Sequence, residues 1–74
     1  MMSEAMKKEI DHFKENGFSI LFTGNSVDND EYIVAENNGL ALVVRNQGEH
    51  CRKFFLVKMC NPSKAMEIAR RHCI

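Results

Sequence analysis

A chain of 74 residues and 8.5 kDa has room for a single domain, residues 1–74, and not for a second core. A chain this small buries only about 60–65% of the surface its unfolded form exposes. Apolar residues at 45% and charged residues at 27%, with four Gly and one Pro, exclude a disordered or fibrous chain. Ten basic and ten acidic side chains exclude a polyanion binder that works by bulk positive charge.

The charge is nevertheless divided along the chain. Residues 1–44 hold three lysines against eight acids, net −5, and residues 45–74 hold seven basic groups against two acids, net +5. At the N-terminus, MMSEAMKKEI meets Glu4 and Glu9 before an apolar run can form, so neither a signal peptide nor a membrane span of about 20 apolar residues is expected. Cys51, Cys60 and Cys73 are an odd set, suited to a reducing compartment, and the expected location is the cytoplasm.

Ser3 is placed to cap a helix over residues 3–16, in which Met2, Met6, Ile10 and Phe13 recur at helical spacing. Gly17 supplies the left-handed residue that ends it, with Phe18 folding back on Phe13. From Phe18 the period becomes two, which puts Phe18, Ile20 and Phe22 on one face of a strand. Gly24 to Asp30 reads as a polar loop and Tyr32 to Glu36 as a second strand. Asn38-Gly39 is a two-residue hairpin turn that sets the register. It pairs Ala35 with Leu42 and Ile33 with Val44 on one face, and Glu36 with Ala41, Val34 with Val43 and Tyr32 with Arg45 on the other.

Asn46-Gln47-Gly48-Glu49 is a second turn, leading to a fourth strand over about Arg52 to Met59. Its run Phe54-Phe55-Leu56-Val57 is apolar on both faces, and the register of this second hairpin is open. Asn61 and Pro62 then start a last helix as cap and first residue. Ala65, Ile68, Ala69, His72 and Cys73 line one side of it, and Glu67 stands four residues before Arg71, the favourable order for an ion pair.

The expected fold is therefore α+β: a two-layer sandwich of N-terminal helix, four-stranded antiparallel meander and C-terminal helix. If both helices lie on the aliphatic face, the reverse face, with Leu21, Tyr32, Val34, Ala41 and Val43, is left bare. Exposed apolar patches of that kind mark interfaces. This reading makes the protein a non-enzymatic interaction module or regulator that binds a protein partner, or itself as a homodimer, through the uncovered face or an edge of its sheet. Tyr32, Val34 and Val43 would be the apolar anchors, and Glu36 and Arg45 the polar rim that sets register. Val43→Asp is then expected to weaken assembly and leave helix content intact.

Two other functions fit parts of the sequence. Lys53, Lys58, Lys64, Arg70 and Arg71 come from an adjacent strand and helix and could gather into a phosphate-binding patch, which would make the protein a nucleic-acid-binding regulator. The order of elements resembles that of the double-stranded-RNA-binding fold. The Gly-Pro-x-His loop and Lys-Lys-x-Ala-Lys helix start of that family are absent, with only Ser63-Lys64-Ala65 as a fragment, so no membership follows. The second alternative is a zinc-binding or thiol-dependent protein using His50-Cys51, Cys60 and His72-Cys73. Adjacent His-Cys pairs send their members apart, whereas zinc sites pair ligands two to four residues apart. Asp28-Asn29-Asp30-Glu31 begins like a calcium loop, but Ile33 stands where its glycine belongs and Gly39 where its bidentate acid belongs. With no phosphate loop or nucleophile elbow, no enzyme activity, cofactor, metal, membrane or small-molecule substrate is expected.

Overall fold

The computed structural model of the chain describes residues 3–46 and 54–73, with side chains for 3–46 and 61–73. The first helix, α1 (Glu4–Glu15), starts where its cap predicts, with Ser3 Oγ accepting the Met6 N–H at 3.2 Å. It ends in a Schellman motif. Gly17 (φ +84°) donates to the Lys14 carbonyl and Phe18 to the Phe13 carbonyl, and the Phe13 and Phe18 rings meet edge to face at 5.3 Å.

Three antiparallel strands follow in sequence order: β1 (Ser19–Asn25), β2 (Glu31–Asn37) and β3 (Leu40–Asn46). The β2–β3 hairpin turns on Asn38 (φ +54°) and Gly39 (φ +81°), the pair of positive φ angles that a type I′ turn requires. It has the register the turn predicts, with Ile33 opposite Val44, Val34 opposite Val43 and Tyr32 opposite Arg45. No atom lies within 4 Å of a Cβ built on Gly39, so Gly39→Ala has a conformational cost only. We expect a loss of about 1 kcal/mol, readable as a lower urea midpoint at unchanged slope. The chain closes with α2 (Pro62–His72), capped by Asn61, whose Oδ1 accepts the Lys64 N–H at 2.8 Å.

The fold is thus α+β, with an N-terminal helix, a three-stranded antiparallel sheet and a C-terminal helix. The turn expected at Asn46 to Glu49 and the strand start at Arg52 and Lys53 involve residues 47–53, outside the described residues. Among the described residues, no helix is long and apolar enough to cross a membrane.

The expected two-layer arrangement is not the one formed, because the helices lie on opposite faces of the sheet. Met6, Ile10 and Phe13 of α1 pack on Ile20, Ile33 and Val44. On the other face, Ala65, Ala69, Met66 and Ile68 of α2 pack with Cys73 on Phe22, Tyr32, Val34, Ala41 and Val43. The expectation assumed that one side of the sheet needs both helices. A helix about 10 Å across spans roughly two strands set ~4.8 Å apart, so one helix covers most of a three-stranded face. Dividing the helices buries both apolar faces, and each Val or Ile taken from water contributes about 1.5–3 kcal/mol.

A bulge in β1 makes the division possible. Ile20 pairs with Ala35 and Phe22 with Val34, leaving Leu21 as an extra residue between them. Strict alternation would put Ile20 and Phe22 on the same face, but the extra residue reverses it. Ile20 then fills the α1 layer and Phe22 the α2 layer, so this edge strand serves both cores.

Candidate functional site

The side chains expected to form an open interface are mostly interior. Tyr32 is 2% exposed and Val34 and Val43 are 0% exposed, all three beneath α2. The Tyr32 ring is stacked on His72 with centroids 5.5 Å apart. Small side chains at Ala41, Ala65 and Ala69 line the same layer, where they let helix and sheet approach closely. Glu36 and Arg45 are half-buried. Glu36 accepts the Gly39 N–H at 3.3 Å and so braces its own hairpin. The uncovered face expected from the sequence is therefore corrected: α2 occupies it.

Three of the five basic residues are placed, all on α2. Lys53 and the side chain of Lys58 lie outside the described residues. Lys64 and Arg71 both turn to Glu67 on their own helix, at 3.7 and 3.1 Å, while Arg70 is exposed. The Glu67–Arg71 pair is the one the helical spacing predicts. In water such pairs add little, so Glu67→Ala is expected to change stability by less than about 0.5 kcal/mol, within the scatter of thermal melts.

Of the metal and thiol candidates, His50, Cys51 and the side chain of Cys60 lie outside the described residues. His72 is engaged on Tyr32. The Cys73 thiol lies over Gly24, where a Cβ would come 3.2 Å from the sulfur and 3.0 Å from the Phe22 ring. Burial pushes the Cys73 thiol up from its ordinary value, the opposite of an activated nucleophile. Among the described residues, no group of three His, Cys, Asp or Glu side chains is arranged to hold a metal.

A polar cluster that the sequence did not reveal ties α1 to the sheet. Glu31, at the start of β2, accepts the Ser3 N–H at 2.6 Å, the Ser3 hydroxyl at 2.7 Å and the Asn46 amide at 2.9 Å. The Ser3 oxygen that caps the helix thus also fastens it, and Asn46 extends the link to β3. Burial by itself raises the Glu31 pKa, but the Ser3 and Asn46 hydrogen bonds outweigh it and hold the carboxyl below its usual range.

At the same end of the molecule, Ser26 Oγ accepts the Asp28 and Asp30 N–H groups, and Ser26 forms a bridge to Cys73. This seats the acidic loop beside the last turn of α2. The loop organises itself around Ser26.

Among the described residues, one surface left open is the outer edge of β1, up to the Ser26–Cys73 bridge. Among the described residues, no strand pairs with it, and its inner side is taken by β2. Ser19, Leu21 and Thr23 are exposed, Leu21 at 41%. Just past the strand, Val27 is 73% exposed. The strand Ser-Ile-Leu-Phe-Thr-Gly-Asn has neither a charged residue nor a proline. Those are the usual means by which an edge is kept from pairing with another chain.

No family model matches the chain, and no curated protein or solved structure matches it at a significant level. The surface has to be read from its own chemistry.

Proposed function

We propose that this protein is a small non-enzymatic interaction module that accepts an extended protein strand along the open edge of β1. The observation that carries the proposal is the uncharged, proline-free sequence of that edge, with Leu21 exposed at its centre. Strand addition fits such an edge: main-chain hydrogen bonds give affinity, and alternate side chains give specificity.

The proposal includes a fourth strand, β4 (Phe54–Cys60), antiparallel to β3. What supports it is the backbone register, with Ala41 opposite Cys60 and Asn46 opposite Phe54. Such a sheet has two edges of different character. Lys58 lies within β4, where a lysine guards against pairing, and β1 has no counterpart. The odd set of cysteines favours a cytoplasmic setting. Nucleic-acid binding through Lys64, Arg70 and Arg71 has less behind it, because Lys64 and Arg71 both turn to Glu67, whose charge cancels one of the three.

The test is a titration of labelled protein with a soluble seven-residue strand peptide of alternating Val and Thr, followed by amide resonances. Shifts confined to Ser19–Asn25 are the expected result. Unmoved β1 amides at millimolar peptide, in a protein that also fails to self-associate, would remove the proposal.

A further inference from the structure

We infer that the strand taken up by β1 is β1 of a second copy, paired antiparallel about a two-fold axis so that the two sheets join into one. The inference rests on the edge reading above and names its partner.

Two-fold pairing places a strand against itself, so a charged residue near the axis meets its own like charge and opposes the contact. All seven residues of β1 are uncharged, which makes the edge self-compatible along its full length. Exposed apolar residues point the same way. Of the three large apolar side chains exposed among the described residues, Leu21 and Val27 lie on or just beyond β1. In an antiparallel pairing centred near Phe22, Leu21 falls opposite Thr23 of the second copy.

Phe22 to Asn25 keep unbroken register with Val34 to Glu31, so a regular stretch of edge is available for the joint. The extra residue at Leu21 increases local twist, which makes that joint a strongly twisted ribbon.

Sedimentation equilibrium over a wide range of protein concentration tests the inference. A monomer–dimer equilibrium is expected, with amide hydrogen exchange at Ile20 to Gly24 slowing as the dimer fills. Leu21→Lys is expected to weaken association by about tenfold or more, at unchanged circular dichroism and melting temperature, because the side chain is already in solvent. Thr23→Lys provides a second substitution at the same edge with the same expected result.

A chain that stays monomeric throughout would overturn the inference. If such a monomer still shows β1 amide shifts with the strand peptide, self-pairing fails while the edge reading stands; if neither occurs, both fail. A dimer indifferent to both lysine substitutions, with β1 exchange unchanged, would place the contact elsewhere and also overturn it.

Discussion

Val43→Asp is expected to unfold the protein. Val43 is fully buried between α2 and the sheet, beside Val34, Ala41, Ala65 and Ala69, in an aliphatic layer. A carboxylate there has either to be desolvated without a partner or to take up a proton. Leaving a buried charge uncompensated in this way costs about 3–5 kcal/mol, against a total stability on the order of 5 kcal/mol for a domain of this size. The measurement is far-ultraviolet circular dichroism with a thermal melt, and the expected outcome is loss of the cooperative transition. A helical protein that melts within a few degrees of the parent would put Val43 back on a surface, as a one-sided placement of the helices requires. Leu21→Lys is the control, since it is equally polar but lies at an exposed position.

Glu31→Ala should have the second largest effect. Its carboxylate is the common acceptor for the Ser3 N–H, the Ser3 hydroxyl and the Asn46 amide, and truncation leaves these donors without it at a half-buried to buried site. Hydrogen bonds to a charged acceptor are worth about 1.5–3 kcal/mol, so we expect a loss of about 2–3 kcal/mol in urea unfolding. Fraying of the first turn of α1 should appear as faster amide exchange at Met6 and Lys7.

The same cluster predicts acid sensitivity. The Glu31 pKa is lower in the folded protein than in the unfolded chain. Its contribution is therefore complete above the unfolded value and is lost as pH falls through the folded one. Stability should decline below the ordinary carboxylate range, and Glu31→Gln should flatten that part of the profile. An unchanged acid limb in Glu31→Gln would show that the cluster does not govern it.

Both large effects arise from features of different legibility. The Ser3 and Asn61 caps, the stop at Gly17 and Phe18, and the Asn38-Gly39 hairpin with its full register follow from interactions a few residues long. Sequence spacing specifies these directly. The Glu31 cluster joins residues 28 and 15 positions apart, and neither Ser3 nor Asn46 carries a local sign of the other. Leu21 is exposed as its place in the pattern predicts, although at an edge and not on a face. Tyr32, Val34 and Val43 read as anchors on a bare face and are instead buried. What hid their burial was the placement of α2.

The amino-acid order alone determined the helices at both ends, the turn chemistry and which β2 and β3 residues face each other, because each is decided within one or two turns of chain. Tertiary structure alone decided which helix covers which side of the sheet and how the bulge at Leu21 divides β1 between two layers. Those outcomes depend on burying both apolar faces at once. That constraint belongs to the assembled molecule, since no single segment can satisfy it.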